Sequence, residues 1–121
     1  MTPLLPETRL LLRLLAVLEA AGELPPTGEA WLWRCLEAYR GLAARAEKVT
    51  LRLHRGDGAS EELVVQCLPA RGRLDRAREL GLLVEKKPGD LCVVYPGQQL
   101  AEALEEIAAG RGLPGLKPGS I

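Results

Sequence analysis

Hydrophobic spacing changes period once in the first half of this chain, at Lys48, and that change restricts the fold more than any other feature. Before it, apolar residues recur three and four apart; after it, Val49, Leu51 and Leu53 alternate with Thr50, Arg52 and His54. The first pattern places side chains on one face of a helix and the second on one face of a strand. The chain therefore reads as α+β, and mainly helical. With 121 residues it has material for one hydrophobic core, so a single domain over residues 1–110 is expected.

The helical half divides in two. Leu10, Leu11, Leu14, Leu15 and Leu18 share one face of a helix over residues 7–21, with Val17 and Ala21 widening it and Arg9, Arg13, Ala16, Glu19 and Ala20 opposite. Gly22 and the Pro25-Pro26 pair end it. Thr27 can cap a second helix over residues 28–48, with Leu32, Cys35, Leu36, Tyr39, Leu42, Ala43 and Ala46 as its apolar stripe. Trp33 falls towards the polar side of that helix, either covered by a neighbouring element or serving as an interface anchor. The leucine arc of the first helix exceeds what one neighbour would cover. A homodimer interface over Leu11, Leu15, Leu18 and Trp33 is the resulting expectation.

Beyond the strand at residues 49–54, Gly56-Asp57-Gly58 marks a turn. Arg55-Gly56-Asp57 spells an adhesion tripeptide, but it reads as turn chemistry. Residues 60–68 admit two readings. Ser60 followed by Glu61 and Glu62 resembles a capped helix start, whereas Leu63, Val64, Val65 and Cys67 suit a strand returning across the turn. The short helix is the expectation taken forward. Leu74, Ala77 and Leu80 then share a face of a helix over residues 70–80 that Gly81 stops. Two apolar runs around Pro88-Gly89-Asp90 predict a hairpin over residues 82–95, and Leu100, Leu104 and Ile107 a last helix over 97–109. Residues 111–121, rich in Gly and Pro, read as a flexible tail.

From residue 60 to 107 this order resembles the winged helix-turn-helix superfamily of bacterial regulators. The likeness rests on Leu74-Asp75-Arg76-Ala77-Arg78-Glu79-Leu80-Gly81-Leu82-Leu83-Val84, similar to a recognition helix running into a wing. Val93-Val94-Tyr95-Pro96-Gly97-Gln98-Gln99-Leu100 is similar to the passage from wing to final helix. The resemblance implies a winged-helix-like domain with an N-terminal helical extension and a DNA-binding regulatory role. Arg71, Arg73, Arg76, Arg78, Lys86 and Lys87 would then meet DNA, with the two lysines at the wing. These six face only Asp75, Glu79 and Glu85 in the same stretch, the largest local excess of positive charge in the chain. The same acids also permit a solvated ion-pair surface.

Formal charge is balanced, 16 basic against 16 acidic residues, so no global field draws the chain to nucleic acid. This balance leaves a second reading open, a protein-interaction module acting as an inhibitor or accessory subunit of a larger complex. Enzymatic chemistry finds no carrier: His54 is the one histidine, Ser60 and Ser120 the only serines, and no metal-spaced, phosphate-cradling or nucleophile motif occurs. No enzyme activity, cofactor or metal is expected. Cys35, Cys67 and Cys92 lie far apart in sequence and read as small apolar residues in a reducing, cytoplasmic setting. Arg9, Arg13 and Glu19 interrupt the leucine-rich stretch, which is too short for a membrane span. The absence of Asn hints at a thermophile.

Overall fold

The computed structural model describes residues 6–111. Within them the order is α1 (Pro6–Ala21), α2 (Trp31–Leu42), β1 (Glu47–His54), β2 (Ser60–Pro69), α3 (Asp75–Glu79), β3 (Leu83–Lys87), β4 (Asp90–Val94) and α4 (Gln99–Arg111). A single 3-10 turn, Ala43–Arg45, follows α2. The protein is thus α+β, with four α-helices and one antiparallel four-stranded sheet among the described residues. The expected tail at 111–121 lies almost wholly outside them.

Helix α1 is the hub. Leu14, Leu15, Ala16, Val17, Leu18, Ala20 and Ala21 are all buried, and only Glu19 interrupts the run. A helix apolar all round must be enclosed, and α1 packs against α2, α3, α4 and β4. Ala16 and Ala20, assigned from spacing to the polar side, are fully buried. Their small side chains let the α2, α3 and α4 side of the molecule close in. Helices α2 and α4 are joined further by Arg40, whose guanidinium meets the Glu105 carboxylate in a two-pronged pair, 3.0 Å on one side. Tyr39 and Tyr95 stack with centroids 4.8 Å apart, and the Tyr39 hydroxyl donates to the Gly97 carbonyl at 2.5 Å. Burial raises the Tyr39 phenol far above its ordinary range.

The sheet order is β1-β2-β4-β3. Residues 60–68 form strand, correcting the short helix expected there: every residue of β1 finds a partner in β2, from Glu47 with Cys67 to His54 with Ser60. That eight-residue ladder satisfies the backbone of both segments, and it outweighs the local cap signal of Ser60-Glu61-Glu62. The same ladder shortens α2. Glu47 and Lys48, expected to be helical, are claimed by β1, and the helix starts only at Trp31 after Ala30 takes a left-handed φ of 55°. Thr27 is therefore not its cap. Trp31 instead fixes the entry, donating its indole N–H to the Pro25 carbonyl at 3.1 Å.

The third helix is also shorter than its 70–80 expectation, five residues instead of eleven. Arg71 and Gly72 donate their backbone N–H groups to the Ala20 carbonyl, at 2.8 and 3.0 Å. These residues dock as a loop on the end of α1, and the helix begins only at Asp75. With β2 in place of a first helix and α3 little more than one turn, the window 60–107 holds no helix-turn-helix pair. The hairpin expected at residues 82–95 is present, with Pro88 and Gly89 between β3 and β4 and Gly89 at φ 84°. The final helix follows as expected, two residues late.

Candidate interaction face

The two faces of the sheet differ because side chains alternate along each strand. Leu68, Val93 and Leu83 point to the helices and join the main core. Val49, Cys67 and Cys92 point the other way and form a second, smaller cluster with Leu51, Val65, Val84 and Val94. All four helices belong to the main core's side, so this outer face has no covering layer among the described residues. An antiparallel sheet with one solvated face usually alternates apolar-in with polar-out. Here the outer positions are apolar as well.

One end of the outer face is closed by charge. Lys86 reaches across it to Glu47, 3.0 Å between Nζ and the carboxylate, and this pair lies over Cys67 and Cys92 around a hollow of about 100 Å³. The Lys86 ammonium is held above the ordinary lysine value, chiefly by the hydrogen bond to Glu47. Burial, and then a hydrogen bond with the neighbouring Cys92 thiol, push the Cys67 thiol up to about 12, and burial alone pushes Cys35 up to about 11. Thiols so shifted are protonated at neutral pH and poor nucleophiles. All three cysteines are buried and serve as packing residues.

The other end of the outer face is open. Strand β4 pairs only with Cys67, Leu68 and Pro69 of β2, so the rest of β1 and β2 continues outward as a two-stranded ribbon. Leu53 and Leu63 stand on the outer face of this ribbon, 45% and 48% exposed, and Val64 on its reverse is 59% exposed. Around them the charges are matched: Arg55 with Glu61 at 2.6 Å and Arg52 with Glu62 at 3.6 Å. Apolar patches rimmed by neutralised polar groups are what docking surfaces of proteins look like.

The residues expected to meet DNA are divided: Arg73 and Arg76 line one hollow together, but with Glu19, Asp75 and Glu79 beside them. Arg76 binds Glu19 of α1 at 2.6 Å, and Arg73 pairs with Asp75 at 3.7 Å. Arg71 lines a hollow of about 310 Å³ between the ends of α1, α2 and β2. There Arg45, itself paired with Glu23 at 2.9 Å, and Glu47 are its charged companions. Arg78 is exposed on α3 and Lys87 beside the hairpin tip. Because α3 packs on α1 while Lys86 crosses the outer face, the sheet separates the two halves of the expected cluster.

The residues expected at a subunit interface divide too. Leu18 is fully buried and Leu15 nearly so, which corrects their assignment to an exposed partner surface: the neighbours of α1 use up the arc that looks excessive in sequence. Leu11 is half-buried against the core, and so is Trp33, whose indole N–H donates to Glu37 one turn on at 3.1 Å. Of the described large apolar residues that stand in solvent, Leu24, Leu53, Leu63, Val64 and Leu80, three gather on the β1–β2 ribbon, where sequence reasoning expects no interface; Leu80, expected on the packed face of the third helix, is exposed instead. The alternation of Val49, Leu51 and Leu53 against Leu63 and Val65 across a Gly-Asp-Gly turn is the signal that could have found the ribbon's surface.

No described helix is long and apolar enough to cross a membrane. The described residues hold no cluster of three or more His, Cys, Asp or Glu suited to a metal ion. Comparison with protein-family models, curated proteins and solved structures found no match to the chain.

Proposed function

We propose that this chain is a protein-docking module, an accessory or inhibitory subunit that lays the outer face of its sheet and the β1–β2 ribbon against an apolar surface of a larger protein. The observation that carries this reading is the apolar stripe of the outer face, which runs from the buried cluster of Val49 and Cys67 through half-buried Leu51 and Val65 to Leu53 and Leu63, exposed at the ribbon's open end. Burying such a stripe releases about 25 cal/mol per Å² of apolar area. The ion pairs of Arg55 with Glu61 and of Lys86 with Glu47 form its polar rim on that face. The DNA-binding reading draws less support, because Arg73, Arg76 and Lys86 are each engaged by a carboxylate and the helix that would enter a groove has five residues.

A photoreactive amino acid placed at Leu63 tests this in the native host, with one at Arg34, exposed on α2, as the reference. Irradiation is expected to yield at Leu63 an adduct to a polypeptide other than a second copy of this chain, resistant to nuclease, and none at Arg34. A nuclease-sensitive adduct, or equal yields at both positions, would contradict the reading.

A further inference from the structure

Strand β1 is the outermost strand on one side of the sheet, and its free edge is long and regular. The Arg55 N–H donates to the Ala59 carbonyl at 2.8 Å, one step beyond the His54–Ser60 pair and in the same register. Odd-numbered residues of β1 therefore turn their backbone groups towards β2. By the alternation of an antiparallel ladder, Lys48, Thr50, Arg52 and His54 turn theirs outward. Consistently, the even-numbered Gln66 of β2 gives its carbonyl to Tyr95, on the side away from β1. The eight residues of β1 contain no proline or glycine and pair with β2 without a bulge, so two of the usual devices that blunt an edge, proline and a bulge, are missing.

We infer that β1 pairs antiparallel with β1 of a second copy of this chain, across a two-fold axis at Leu51, joining two sheets into one of eight strands. The side chains select both the occupant and the register. Centred on Leu51, the pairing sets Leu51 opposite Leu51, Val49 opposite Leu53 of the second copy, and Glu47 opposite its Arg55. On the reverse face Thr50 meets Arg52, and Lys48 meets His54. Centring on Thr50 would bring Lys48 against Arg52 and Glu47 against Leu53. Centring on Arg52 would oppose two arginines and set Val49 against Arg55. Like charges directly opposite destabilise a ladder, whereas apolar and opposite-charge pairs stabilise it, so of these three registers the one centred on Leu51 is the self-complementary one. Glu47 and Arg55 are paired within the chain with Lys86 and Glu61, but each keeps more than half of its side chain in solvent, so each can exchange that partner for the one across the seam. The pairing also makes the two outer faces continuous, doubling the apolar stripe. It goes beyond the docking reading and does not depend on it.

Light scattering and sedimentation of the full chain at about 100 µM are expected to give twice the chain mass. Thr50→Pro is the selective disruption: the Thr50 N–H points outward and has no partner among the described residues, and proline is tolerated on a free edge. In the dimer the same change deletes two backbone bonds by symmetry, each worth about tenfold, and should weaken association about 100-fold. Glu47→Arg and Arg55→Glu are each expected to weaken it several-fold, and the double variant to recover it, a readout that stands even if Thr50→Pro fails to fold. A monomeric wild type at that concentration would overturn the inference, as would a dimer indifferent to folded Thr50→Pro or a double variant no better than either single one.

Discussion

Gly72→Ala is expected to destabilise the fold by about 3 kcal/mol, the upper part of the range for forcing an atom into packed structure. A Cβ on Gly72 would stand 2.1 Å from the Glu19 carbonyl oxygen and 3.1 Å from the backbone of Gly22. All of these are main-chain atoms that cannot swing aside. The loop would have to lift from α1, giving up the bonds from Arg71 and Gly72 to the Ala20 carbonyl. Gly41 provides the opposite case. It lies in α2, where a Cβ would meet nothing within 4 Å, so Gly41→Ala should stabilise by about 0.5 to 1 kcal/mol. Urea unfolding with a constant m-value reads both. Equal midpoints for the two variants would mean that the loop does not dock as described.

The second large effect concerns α1. Leu18→Ala is expected to cost about 3 to 4 kcal/mol, because a fully buried leucine leaves a cavity in the core that α1 shares with the other helices, which a helix hub cannot collapse. Leu11→Ala, at a half-buried position against the same core, should cost less than half as much. The ordering separates a core helix from an interface helix. Thermal unfolding that showed Leu18→Ala milder than Leu11→Ala would return the leucine face to a subunit contact.

What the sequence disclosed depended on how far apart the deciding partners lie. Helix α1, the β3–β4 hairpin and α4 are each specified by their own residues: leucine spacing, Pro88-Gly89 between apolar runs, and the return to helical spacing after Gly97. Strand β2 is not. Ser60-Glu61-Glu62 favours a helix locally, and only pairing with β1, up to 20 residues away at Glu47 and Cys67, makes it a strand. Residues 70–74 have helical spacing too, yet Arg71 and Gly72 dock on the Ala20 carbonyl, about fifty positions earlier. The candidate face was hidden for the same reason. Val49, Leu51 and Leu53 could be read as one strand's alternation, but their union with Leu63, Val65 and Cys67 requires the hairpin register. That the face lacks cover requires knowing that every described helix packs on the other side. The basic residues between Arg71 and Lys87 are conspicuous as a run of sequence, and the fold distributes them to α1, to the sheet's outer face and to solvent.

A fluorescence titration of the intact chain with mixed-sequence duplex DNA at about 50 mM salt, where non-specific attraction to phosphate is strong, separates the two modes of binding most directly. Docking through an apolar sheet face, with Arg73, Arg76 and Lys86 already engaged by carboxylates, predicts no saturable signal. Saturable binding that falls with salt at a log-log slope of roughly −4, the mark of about four neutralised phosphates, would contradict it and return the chain to the nucleic-acid reading.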